Sequence, residues 1–68
     1  MAGEISDDVV RQRTGRAWAE WFALLDRAGA ATRERAAIVA LLKDEHGVDG
    51  WWAEMVTLQY ERARGLRR

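Results

Sequence analysis

Four of the six glycines, Gly15, Gly29, Gly47 and Gly65, cut this 68-residue chain into stretches whose apolar residues recur with helical spacing. No stretch alternates apolar and polar residues for long enough to make a strand. The pattern predicts an all-α fold, a small bundle of three longer helices plus a short N-terminal helix, forming a single domain over residues 1–68. Ser6 is an N-cap for the short helix, with Asp7 and Asp8 at the positive end of its dipole, and the helix ends near Thr14-Gly15. The second helix runs from about Ala17 to Ala28, with Trp18, Trp21, Phe22 and Leu25 on one stripe and Gly29 as its stop. The third follows Thr32 as N-cap, turns Ile38, Leu41 and Leu42 inward and stops at Gly47. The fourth follows Asp49, extends from Trp51 through Tyr60 to about Ala63, and has Gly65 at its end.

The chain has no cysteine, which removes both a disulfide framework and a thiolate metal site. Stability in so short a chain then rests on burying most of the apolar side chains larger than alanine. Apolar runs such as Ile38 to Leu42 fall far short of the roughly 20 residues of a membrane helix, and no secretory signal pattern is present. A soluble, cytoplasmic protein without a membrane partner is the expectation. Eleven basic and eleven acidic residues give zero formal charge, which lacks the basic footprint of a nucleic-acid binder. The same balance gives little colloidal protection and leaves a homodimer open. Glu4, Asp7 and Asp8 open the chain while Arg62, Arg64, Arg67 and Arg68 close it, a distribution that solvated ends account for.

Helix four is the odd element. Leu58, Trp51, Met55, Trp52, Val56 and Tyr60 cover an arc of roughly 200° at about 100° per residue, whereas the stripes of helices two and three span about 160°. A helix with that surplus is either central to the bundle or exposes part of its stripe. The simpler reading sandwiches it between helix one and the two longer helices. The predicted core is Trp18, Phe22, Leu25, Ile38, Leu41, Leu42, Trp52, Met55 and Val56.

Trp51 and Trp52 point about 100° apart, so both cannot enter one small core, and the exposed indole is a candidate anchor for a partner. Trp51, Trp52, Tyr60, His46 and Trp21 form the candidate site for a protein partner or small hydrophobic ligand. His46 in a last helical turn is accounted for by the helix dipole, and Asp44, Glu45 and Asp49 near it show no metal-ligand spacing. With one serine, no nucleophile elbow and no glycine-rich phosphate loop, the chain reads as a non-enzyme without catalytic residues, metal or cofactor. The segment from Ile38 to Val56 echoes a helix-turn-helix, and Arg33, Arg35, Arg62 and Arg64 would then meet phosphates. Its second helix offers Trp51, Trp52 and Glu54 where basic or amide side chains are needed, so nucleic-acid binding is the alternative reading and a structural docking domain the third.

Thr14-Gly15-Arg16, Trp18, Trp21-Phe22-Ala23-Leu24-Leu25-Asp26 and Gly29-Ala30 form one block of a recognisable pattern. His46-Gly47-Val48, Trp51-Trp52-Ala53, Val56-Thr57, Tyr60-Glu61 and Arg64-Gly65-Leu66-Arg67 form the second, more specific block. Together they resemble a small domain family of unknown function common in actinobacterial proteins, over about residues 14–67. Members of that family occur alone or appended to START-like ligand-binding domains, so the resemblance implies a cytoplasmic accessory or binding module. Ala17 stands where that family usually has a Ser or Thr cap, and Arg35 where a histidine is frequent. The first departure is expected to weaken the start of helix two, and the second to remove a partner for His46.

Overall fold

The computed structural model describes residues 5–66, and Glu4, Arg67 and Arg68 lie outside them. Among the described residues the chain forms α1 (Asp7–Thr14), α2 (Trp18–Arg27), a short 3-10 turn (Ala30–Thr32), α3 (Arg35–His46) and α4 (Gly50–Arg64), with no strand. The all-α bundle expected from the periodicity is the observed architecture. The pairing of α3 with α4 is the most extensive, α2 packs on α4, and α1 packs on α2. One cluster fills the centre, built from Val10, Trp21, Leu25, Ile38, Leu42, Val48, Ala53, Val56 and Tyr60 with Ala30 beneath the turn.

Local chemistry sets most helix ends. The Val9 N–H donates to Ser6 Oγ at 3.4 Å, and the Trp51 N–H to Asp49 Oδ2 at 3.1 Å, so both expected caps are in place. Gly47 and Gly65 adopt left-handed φ values of 64° and 71°, which lets the chain turn back on the helix end. The Val48 N–H then donates to Leu42 O at 3.1 Å and the Leu66 N–H to Glu61 O at 2.7 Å. Each closure sets an apolar side chain, Val48 or Leu66, against the core.

Two starts differ from the sequence reading. Thr32 closes the 3-10 turn, its hydroxyl donating to Gly29 O at 2.9 Å, and Glu34 occupies the cap position of α3. Arg33 and Glu34 therefore precede the helix. Ala17 has no side chain with which to cap α2, yet the Trp18 N–H donates to Asp7 Oδ1 at 3.2 Å and the Ala17 N–H to Glu20 Oε2 at 3.4 Å. The cap missing locally is supplied by the first residue of α1.

The largest correction concerns which face of α4 is inside. Its buried residues are Ala53, Val56, Thr57, Tyr60 and Glu61, a face turned roughly 130° from the centre of the expected arc at about 100° per residue. Trp51 is 57% exposed, Trp52, Met55 and Leu58 are half-buried, and α4 packs against α3 and α2 while α1 packs chiefly on α2, so α4 is not sandwiched between α1 and the longer helices. Small inward residues explain the turn, since Ala53 and Thr57 let α4 sit close to its neighbours. Thr57 also satisfies its own hydroxyl, which donates to Ala53 O at 2.7 Å and leaves its methyl group for packing. Of the nine expected core residues, Leu25, Ile38, Leu42 and Val56 are fully buried, while Trp18, Phe22, Leu41, Trp52 and Met55 are half-buried. The indole at the centre is Trp21, at 1% exposure.

Trp21→Ala is expected to cost about 3–5 kcal/mol of stability, enough to unfold most of a domain this small, and Trp51→Ala less than about 0.5 kcal/mol. Urea denaturation of the two variants followed by circular dichroism checks the contrast.

Candidate functional site

The five residues expected to form one binding site fall into three places. Trp21 is a core residue whose Nε1–H donates to Thr14 Oγ1 at 2.7 Å, with the Arg16 guanidinium 5.4 Å from its ring centroid. His46 is exposed and meets the Trp21 ring edge-on at 5.6 Å, which covers the indole from the end of α3. Tyr60 is fully buried beside Phe22, with ring centroids 5.8 Å apart, and its hydroxyl donates to Asp26 Oδ1 at 2.7 Å. Neither Trp21 nor Tyr60 can meet a partner without unpacking the core. Of the five, His46 at the end of α3 and the pair Trp51 and Trp52, in edge contact at 5.0 Å, remain on the surface.

The arginines are placed with equal consequence. Arg35 donates through Nε and a terminal nitrogen to Glu61 Oε1 at 3.1 and 2.8 Å, and the Glu61 side chain is only 4% exposed. Hydrogen bonding to that carboxylate raises the Arg35 pKa above its ordinary value. Arg35 and His46 stand at opposite ends of α3, about 16 Å apart along its axis, so a histidine at position 35 would not have partnered His46. Glu61 was not anticipated. Its pairing spans 26 residues of chain, and no local spacing announces it. Beside Arg35 lies an open groove of about 630 Å³ lined by Ala36, Val39, Ala40, Lys43, Asp44 and Glu54. Its two cations, Arg35 and Lys43, are matched by two carboxylates, Asp44 and Glu54, which does not favour a phosphate backbone. Arg33 is exposed on the connection before α3.

Arg64 closes a clasp between α2 and α4. Its guanidinium donates to both carboxylate oxygens of Asp26 and lies 5.6 Å from the Phe22 ring and 5.4 Å from the Tyr60 ring. Hydrogen bonds from Arg64 and then Tyr60 hold the Asp26 carboxyl below its ordinary value of 3.8. Burial, followed by the bond to Asp26, pushes the Tyr60 phenol above its ordinary 10.0.

The exposed side of α4 is coherent. Trp51, Met55, Leu58 and Arg62 share one stripe, at i, i+4, i+7 and i+11, directly opposite the buried face. Among the described residues the indole N–H groups of Trp51 and Trp52 have no hydrogen-bond partner, unlike those of Trp18 and Trp21. Next to the C-terminal part of this stripe is a cleft of about 420 Å³ lined by Ile5, Trp18, Phe22, Gln59, Arg62 and Ala63. Among the described residues no group of three His, Cys, Asp or Glu could hold a metal ion, and no helix is long and apolar enough to cross a membrane.

Residues 8–62 match the family described as Domain of unknown function (DUF4287), and the chain belongs to that family. The match takes in α1 from its second residue, nearly all of which the sequence resemblance leaves out, and stops before Arg64 and Gly65. No curated protein and no solved structure matches the chain.

Since the Asp26 pKa is lowered in the fold, its contribution to stability is complete above the ordinary value and is lost as pH falls through the depressed one. The raised Tyr60 pKa gives the opposite window, with stability complete below its ordinary value and lost as pH rises past the folded one. Melting curves recorded from acid to neutral pH are expected to show a steeper acid loss for the natural chain than for Asp26→Asn, and equal slopes would remove the clasp from the stability balance.

Proposed function

We propose that this domain is a non-enzymatic interaction module that docks an apolar helix on the outer stripe of α4, and that the occupant is the same stripe of a second copy. The observation that carries the reading is Trp51, 57% exposed and directly opposite the core on a helix whose inner face is already filled. A large exposed indole flanked by half-buried Met55 and Leu58 is the type of anchor that dominates interfaces. The stripe is also self-complementary. Two α4 helices laid antiparallel about a two-fold axis between Val56 and Thr57 bring Trp51 opposite Arg62 of the other copy and Met55 opposite Leu58. Guanidinium on indole and thioether on isobutyl are both favourable contacts. Zero net charge adds no long-range repulsion between copies.

A single helix face about 22 Å long buries less than the roughly 1,200 Å² of a stable complex, which sets the association in the weak class. Nucleic-acid binding has less support, since Arg35 and Arg64 are both committed to carboxylates. Sedimentation velocity over a concentration series is expected to show reversible dimers forming at roughly 0.1–1 mM. Trp51→Ala should weaken that association at least about tenfold without lowering the melting temperature. A chain that stays monomeric to about 1 mM, or dimers indifferent to Trp51, would overturn the reading.

A further inference from the structure

We infer that the cleft between Ile5, α2 and the end of α4 binds a small carboxylate with a flat aromatic body. This rests on a different surface from the dimer stripe, and Arg62 is the residue they share. At about 420 Å³ the cleft lies toward the lower end of the roughly 300–1,000 Å³ typical of small-molecule sites. Two of its walls are rings held in place before any ligand arrives. The Trp18 Nε1–H donates to Ile5 O at 2.7 Å and its backbone N–H is held by Asp7, while Phe22 is fixed between Tyr60 and the Arg64 guanidinium. Trp18 and Phe22 stand 6.1 Å apart at an interplanar angle of 36°, a wedge of aromatic surface with its own polar atom already used. Walls that need no ordering lower the entropic cost of binding.

The opposite wall supplies the polarity. Gln59, Arg62 and Ala63 come from successive turns of α4, and the small Ala63 side chain leaves the floor open. Arg62 is exposed and its guanidinium makes no ion pair or hydrogen bond among the described residues, in contrast to those of Arg35 and Arg64. A guanidinium fork matches the two oxygens of a carboxylate, and the Gln59 amide can add one donor. One cation and one amide on an otherwise apolar cleft suit a monoanion with a ring system. A phosphate dianion would require more positive charge than the cleft holds, and a quaternary ammonium would be repelled by Arg62.

The test is a titration of the ¹⁵N-labelled full chain, dilute enough to remain monomeric, with 2-naphthoate, its neutral analogue 2-naphthalenemethanol, and inorganic phosphate. Naphthoate is expected to saturate at roughly 1 mM or tighter and to move the Trp18 indole N–H resonance, with the neutral alcohol at least about tenfold weaker. Arg62→Gln should bring the acid down to the affinity of the alcohol, and Ala63→Leu, which fills the cleft from an exposed helical position, should abolish both. Trp51→Ala, the variant that breaks the proposed dimer, should change neither affinity, so the two readings fail separately. Equal affinity for acid and alcohol, unchanged binding in Ala63→Leu, a phosphate response equal to that of naphthoate, or no saturable shift at Trp18 would each overturn the proposal.

Discussion

The domain is organised by the turning of Ala53 and Thr57, and not the nearby tryptophans, toward the centre. Interiors are close-packed, so a helix that presents small residues inward can lie nearer to its partners than one that presents indoles. Once α4 settles on that face, Val56 and Tyr60 are carried into the core with Ala53 and Thr57, and Glu61 is carried in as well. The bulky residues at the other side of the helix then have nowhere to go but outward. The exposed aromatic stripe is thus a geometric consequence of how α3 and α4 approach each other.

Charge follows the same logic. Arg35 reaches Oε1 of the buried Glu61 from α3 while Oε2 has no partner among the described residues, and removing Arg35 would leave a desolvated charge behind, which costs more than such a pair contributes. Asp26 and Arg64 tie α2 to the end of α4 at the surface, where water screens them, and the Tyr60 hydroxyl anchors that pair to the core. Between them these contacts consume two arginines that a reading of the sequence offers to an external anion. Arg62, one or two residues from both Glu61 and Arg64, is spared because it projects from the opposite side of the same helix.

Helix existence and most helix ends could be read from the sequence because they are encoded within a few residues: Ser6 and Asp49 as caps, Gly47-Val48 and Gly65-Leu66 as stops followed by an apolar residue. The start of α3 could not, because Thr32 is taken up by the 3-10 turn and the cap position falls to Glu34, whose side chain makes no capping bond. The inner face of α4 could not either. A helical wheel ranks faces by size and apolarity, and nothing in the wheel says that a partner helix prefers Ala53 and Thr57 to Trp51 and Met55. One partly exposed indole was readable from the adjacency of Trp51 and Trp52. The cleft was not, since its walls lie some forty residues apart and only packing brings them together. Trp21 and Tyr60 stand among the candidate binding residues although both are buried, because their chemistry suits both places and burial is decided by their neighbours.

The stretch that defines the family, residues 8–62, is shorter than the stretch that completes the structure. Ser6, which caps α1, and Asp7, which caps α2 from the neighbouring helix, lie just before it. Arg64, which holds Asp26, and the Gly65-Leu66 closure lie just after it. A fragment trimmed to the family boundary would keep the central residues and lose two N-terminal caps, one interhelical clasp and one C-terminal stop. In a domain whose margin of stability rests on so few residues, inheritance marks the middle of the unit while cooperative folding sets its edges.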